Sequence, residues 1–290
     1  MRRLFAALTL CLPLTLQAAD KPQVVTSFSI LADLTRAVGG EHIALSNLVG
    51  ADADAHVFEP SPREARRLLE ADLVIANGLG FEPWLERLLA GGEARGRRID
   101  ASAGVRPLLL DADGARLPDP HAWQSLDNAG IYVRNIARAL SELDPGHAAI
   151  YGERRDAYLA RLSALRQEVA ERLAGLPADR RKVVTSHDAF GYLAQATPLQ
   201  FIAPQGVSGA DEPSAAEVAA LIRQLRSEGV RAVFVENIRD PRLVEQIAAE
   251  AGARVGGTLY SDALASEGPA SSYLGMYRYN LEQLLKALAP

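Results

Sequence analysis

From Val24 onward, short runs of β-branched and other apolar residues alternate with windows in which apolar positions recur every three or four residues. The first kind of run reads as a strand and the second as a helix with one buried face. "VVTSF" is thus a strand, "SILADLTRAVGG" a helix closed by glycine, and "IALSNLVG" the next strand. Ser61-Pro62-Arg63-Glu64 has the form of a capping box with proline at the first helical position, so it starts the helix "SPREARRLLEA" and leaves the Arg-rich face in water. "DLVIANG" reads as a buried strand, "EPWLERLLAGG" as a helix and "RRID" as a short strand. A second series with the same grammar begins near Lys182: strand "KVVTS", helix "AFGYLAQA", strand "LQFIA", and a helix from Ser214 whose Ser-Ala-Ala-Glu start is again a capping box. It continues through strand "RAVFVEN", helix "DPRLVEQIAAEAG", strand "ARVGGTL" and the helix "SYLGMYRYNLEQLLKAL". This alternation predicts an α/β fold with mainly parallel sheets flanked by helices.

Between the two series, residues 144–176 carry Ile150, Tyr151, Tyr158, Leu162, Leu165, Val169 and Leu173 at helical spacing. A helix of about 28 residues spans about 40 Å, more than one domain needs. It reads as a rigid spacer between an N-terminal α/β lobe over residues 20–143 and a C-terminal α/β lobe over residues 177–290. The competing reading is two ordinary helices broken near Gly152.

Residues 1–19, "MRRLFAALTLCLPLTLQAA", run from two arginines through an apolar stretch to small residues, the order of a secretory signal peptide cleaved near Ala18 or Ala19. Cys11, the single cysteine, lies inside that segment and follows Leu10 rather than a small residue, so a lipid-modified cysteine is disfavoured. The mature chain of about 270 residues would carry no thiol, which excludes disulfides, thiolate metal sites and cysteine nucleophiles. It would hold 29 basic against 36 acidic residues, a formal charge of −7 that argues against a nucleic-acid partner.

The five histidines are where this picture acquires chemistry. His56 and His187 fall just beyond the carboxyl ends of predicted strands, and His121 sits in the loop "LPDPHAW". Ligands of open α/β sheets gather at such strand ends. His42 opens a strand and His147 sits in the first turn of the long helix, so both read as solvated. Asp262, in "GGTLYSDALAS", follows a strand end as His187 does. Three imidazoles and one carboxylate suit a divalent transition ion, and no oxygen-rich cage is present for calcium or magnesium. Asp54, Asp119, Asp188 and Glu236 are equal candidates to accept the second N–H of a ligating imidazole. Trp123 reads as packing or as a shield over the cleft, and Glu59 as a loop residue.

In unbroken order after the leader come "AHVFEPSP", "DPHAW", "DNAGIYVRNIARALSELDPGHAAIYGERRDAYLARL", "TSHDAFGYL", "EPSAAEVAALI", "GVRAVFVE", "LYSDALA" and "YRYNLEQLLKAL". Together these resemble the cluster A-I solute-binding proteins of bacterial zinc and manganese ABC importers, a group that includes the zinc-uptake proteins and related adhesin-like lipoproteins. The resemblance implies two α/β lobes bridged by one long helix, with His56, His121, His187 and Asp262 as metal ligands. It also implies a periplasmic monomer, not an enzyme, that serves an ABC-type membrane permease and its ATPase, with a periplasmic metallochaperone as an open further partner. Manganese-type members place a carboxylate at the third ligand, whereas His187 stands there here and tilts the expectation to Zn2+, with Mn2+ or iron as the alternative. Two departures stand out. Trp123-Gln124-Ser125-Leu126 replaces the common Trp-Leu-Asp-Pro after the second histidine, and "DADGARLPDP" lacks the long His-rich loop of many zinc-specific members.

Two rival functions compete with this one. A zinc-dependent hydrolase needs an open water position and a placed general base, and no motif supplies the base. An adhesin would use the same fold for interaction alone. For a binding protein, affinity is expected to fall as pH drops through about 6.5, where free imidazoles protonate.

Overall fold

Alternation of strand and helix is realised from the first described residues. Gln23–Phe28 (β1) leads into Ser29–Gly39 (α1), followed by Ala44–Val49 (β2), Pro62–Glu70 (α2), Leu73–Ala76 (β3), Pro83–Ala90 (α3) and Arg97–Asp100 (β4). The computed structural model describes residues 21–92, 94–112, 115–206 and 213–289. The leader assigned to residues 1–19, Cys11 included, lies outside them. β1 to β4 form one wholly parallel sheet in the order β2-β1-β3-β4. β1 and β3 are buried along nearly their whole length, as strands covered on both faces must be. Ser61 and Glu64 exchange the two capping-box hydrogen bonds at the start of α2, at 3.4 and 2.7 Å.

A short antiparallel hairpin, Leu109–Ala112 (β5) with Ala115–Pro118 (β6), follows the sheet. Next come Leu126–Leu143 (α4), Ala148–Ala174 (α5), Lys182–Val184 (β7), Gly191–Ala196 (α6), Gln200–Ile202 (β8), Ala215–Glu228 (α7), Ala232–Glu236 (β9), Arg242–Ala251 (α8), Arg254–Leu259 (β10) and Tyr273–Leu288 (α9). The second sheet is also parallel, in the order β10-β9-β7-β8. Counted from the first strand of each sheet, both orders read second, first, third, fourth. α7 and α8 end at Gly229 and Gly252, whose φ values of 64° and 73° close the helices in the left-handed conformation.

The expected linking helix is present as α5, 27 residues long and continuous through Gly152. Its start is later than the sequence pattern suggests, because Pro145 lies in a 3-10 turn and regular helix begins only at Ala148. A second difference concerns residues 126–143. Given no element of their own in the sequence pattern above, they form the 18-residue α4, capped by Ser125 and packed against α5. The early part of α5 holds the N-terminal lobe through Arg154, which donates to Gly39 O at 3.0 Å and pairs with Glu41. Its later part reaches the C-terminal lobe, where Glu168 pairs with Arg278 at 3.1 Å and Arg172 with Glu282. One continuous apolar core runs through β1, α1, α4, α5, β7 and α9, with a smaller satellite between α7, α8 and the second sheet. Among the described residues no helix is long and apolar enough to cross a membrane.

Candidate metal centre

Each of the four expected ligands is set in place by the chain segment around it. His56 lies on the loop after β2, where its N–H donates to Asp54 Oδ1 at 2.8 Å and Trp84 Nε1 ties down the preceding Ala55 carbonyl at 2.8 Å. His121 precedes the turn Ala122–Gln124, and both its backbone N–H and Nδ1 lie on Asp119 Oδ1, at 2.9 and 2.8 Å. His187 follows β7, and Glu236 at the end of β9 accepts the N–H groups of Ser186 and His187 on Oε1, at 2.7 and 3.0 Å. Glu236 Oε2 lies 2.7 Å from His187 Nδ1. Asp262 follows β10 on a loop pinned from both sides. Asn280 of α9 bonds both polar groups of the Tyr260 backbone, while Trp123 Nε1 and Gln124 Nε2 donate to Ser261 O at 2.9 and 2.7 Å.

The four side chains converge. One donor atom from each of His56, His121, His187 and Asp262 lies within 4.8 Å of all the others, the one such grouping among the described residues. His56 Nε2 is 3.2 Å from His121 Nε2 and 3.4 Å from Asp262 Oδ2, which is 3.1 Å from His187 Nε2. A tetrahedral cation bonded at about 2.0–2.1 Å needs donors about 3.3 Å apart, so the spacing fits a first-row divalent ion. Asp262 Oδ1 is buried with no hydrogen-bond partner among the described residues, and His121 Nε2 lies 3.6 Å from it. An acceptor left in that position suits an incoming cation. His121, His187 and Asp262 are fully buried and His56 is 9 % exposed, so access is from the His56 side.

Charge is arranged to match. Burial works to lower the pKa of His121, but Asp262 and Asp119 outweigh it and push the imidazole up to about 9. His187 is pushed up to about 10 by Glu236 and Asp262 against the same burial effect. His56 goes the other way, because its burial outweighs the pull of Asp262. Asp262 stays ionised: burial would raise its pKa, but His187 and His121 hold it well below the usual carboxylate range.

Of the carboxylates open as imidazole partners, the structure puts Asp119 on His121 and Glu236 on His187, with Asp54 on the backbone of His56; Asp188 makes no hydrogen bond to an imidazole among the described residues. Trp123 is buried against Phe28, Phe81 and His121 as well as bonding Ser261, so it packs and positions at once. The departure after the second histidine is put to use: Gln124 bonds the Asp262 loop and Ser125 caps α4. Sequence reasoning marked Gln124 only as part of that departure and did not single out Ser261 or Asn280, since no local motif links residues so far apart. His42 and His147 sit away from the centre, as expected, but are half-buried and in contact with each other at 4.1 Å between ring centroids, with His147 Nδ1 2.7 Å from Asp144.

Comparison with known proteins places the chain in a family. Residues 24–287 match the family described as "ZnuA: Zinc-uptake complex component A periplasmic". The iron-binding protein YfeA of Yersinia pestis is 31% identical over 92% of this chain and 86% of its own length. The manganese ABC transporter substrate-binding lipoprotein PsaA of Streptococcus pneumoniae is 31% identical over 93% of this chain and 90% of its own. Among solved structures, the periplasmic zinc binding protein TroA from Treponema pallidum superposes with a TM-score of 0.88 at 28% identity, covering 93% of this chain and 100% of that one. Three metals thus appear in the names of three relatives. A chain with this fold, this match along its length and a buried cluster of imidazoles and a carboxylate belongs to the zinc-uptake component A family of periplasmic metal-binding proteins, the substrate-binding components of metal ABC transporters and not enzymes.

Proposed function

We propose that the protein captures Zn2+ in the cleft between its lobes and delivers it to an ABC permease, whose ATPase drives import. The observation that carries this reading is the convergence of three buried ring nitrogens and one unpartnered carboxylate oxygen, with a carboxylate behind the imidazoles of His121 and His187 and another on the backbone N–H of His56. His56, His121 and His187 bind through Nε2 and Asp262 through its carboxylate, closing the first shell and leaving no open position for hydrolytic water. Three imidazoles with one carboxylate favour zinc over harder cations. The exported protein acts in the periplasm, released from its leader near Ala18 or Ala19, although PsaA is named as a lipoprotein. A manganese reading draws specific support from PsaA, whose name specifies manganese at 31% identity.

The test is competitive loading of metal-free protein with zinc and manganese, read by metal analysis, for the wild type and His187→Ala. One equivalent of metal, zinc retained in preference, and a loss of more than about a hundredfold in affinity for His187→Ala are expected. Preferential retention of manganese would replace the zinc reading with the manganese one.

A further inference from the structure

The stretch between β2 and His56 reaches across the cleft before it presents its ligand. Asp52 adopts φ of +54°, a left-handed conformation that side chains other than glycine and asparagine-like ones rarely take. In that conformation its N–H donates to Leu264 O at 3.0 Å, and its carboxylate accepts Asn237 Nδ2 and Ser266 N–H, each at 3.0 Å. All three partners belong to loops of the other lobe. Two residues on, Asp54 divides its carboxylate. Oδ1 accepts the N–H of His56, and Oδ2 pairs with Arg239 Nη1 at 2.9 Å. The pair is nearly dry, with side chains 11% and 13% exposed.

Arg239 is itself part of the frame behind His187. Its N–H donates to Glu236 O at 3.2 Å, closing a turn whose first residue accepts the N–H of His187. One turn, residues 236–239, therefore seats His187 at one end and grips the His56 loop at the other.

We propose that the Asp54–Arg239 pair, with Asp52 beside it, is a cross-cleft latch that sets how fast bound metal leaves. His56 is the most exposed ligand, so it is the one whose withdrawal opens the centre. Its loop cannot swing out while Asp54 is held from the opposite lobe. A pair held largely out of water is screened less than a surface pair, so its attraction resists parting more strongly. Asp54 and Arg239 are positioning residues acting through His56, and the proposal rests on the reading of His56 as a ligand.

The test measures zinc dissociation into a chromogenic chelator by stopped flow for wild type, Asp54→Asn, Arg239→Gln, their double variant, Arg239→Lys and His56→Ala. Each single latch variant is expected to release zinc about ten- to a hundredfold faster with one-to-one stoichiometry kept. The double variant should be no faster than the faster single, and Arg239→Lys should recover part of the retention. In metal-free protein, amide exchange at residues 51–56 should rise in Arg239→Gln. Dissociation from Arg239→Gln within twofold of wild type, or acceleration by Asp54→Asn alone, would overturn the latch. His56→Ala separates the two readings: unchanged affinity there removes the ligand assignment itself, whereas lost affinity beside an unaffected Arg239→Gln removes only the latch.

Discussion

Protons are the competitors that a metal meets at His121 and His187. With those imidazoles raised to about 9 and 10, each carries a proton at pH 7 that must leave before Nε2 can ligate, while His56, lowered by burial, carries none. Zinc binding at pH 7 is therefore expected to release about two protons, measured by calorimetry in buffers of different ionisation enthalpy. Affinity should climb about a hundredfold per pH unit up to about 9, instead of levelling off just above the ordinary histidine range near 6.5. The same shifts bear on folding. The stability these two histidines contribute is complete below about 6.5 and is lost as pH rises through 9 to 10, so the Tm of metal-free protein should fall over pH 7–10. Behind the ligands, Glu236→Gln should weaken zinc affinity by about ten- to a hundredfold, by freeing His187 and the two backbone N–H groups that Glu236 accepts. Asp188→Asn, which removes no bond to an imidazole, should change it less than about threefold. Of the four converging residues, His56, His187 and Asp262 were legible because strand ends in such sheets collect ligands, whereas His121, in a loop, joined them through the family resemblance. Their partners were not: Glu236 lies 49 residues from His187 and looks, in sequence, no different from Asp188.

At the level of elements, the capping boxes of α2 and α7 were readable because their hydrogen bonds are local, three residues apart. α5 was readable from its apolar stripe, which buries Tyr151, Tyr158, Leu162, Leu165, Val169 and Leu173. α4 was not named as a helix of its own, since it carries the same period as α5 and only Asp144-Pro145-Gly146-His147 stands between them. The β5–β6 hairpin escaped because Leu109 and Leu117 are exposed and leave no buried face to signal a strand. Gly152 gives an energetic check on α5. A methyl there meets nothing closer than Arg155 Nη2 at 4.0 Å, so Gly152→Ala should raise stability by about 0.5–1 kcal/mol, read by denaturant unfolding. A loss of stability would mean that the helix needs a weak point at that position.

At the scale of the molecule, α5 is anchored to both lobes and one apolar core passes between them. Wide hinge opening would expose that core, so metal loading is expected to change the radius of gyration by less than about 1 Å in small-angle scattering, with movement confined to loops such as residues 50–56. The two sheets share a strand order, yet the candidate ligands do not repeat with it: His56 follows a second strand, His187 a first and Asp262 a fourth, while His121 comes from the excursion beyond β6. The overall architecture follows from pattern, but the centre had to be located position by position.

The contact between α1 and α9 has a consequence for how the chain reaches its folded state. Asp33 accepts the N–H of Tyr273 at 2.9 Å, Ser29 accepts that of Leu264 at 2.9 Å, and fully buried Tyr273 closes over Trp123. A polypeptide threaded through a membrane amino end first would carry β1 and α1 across early, and these would wait for partners more than two hundred residues behind. Such pairings form late and slowly. The nascent protein would spend its transit with the α1 face that meets Tyr273 uncovered, a substrate for holdases and proteases until α9 emerges and seals it.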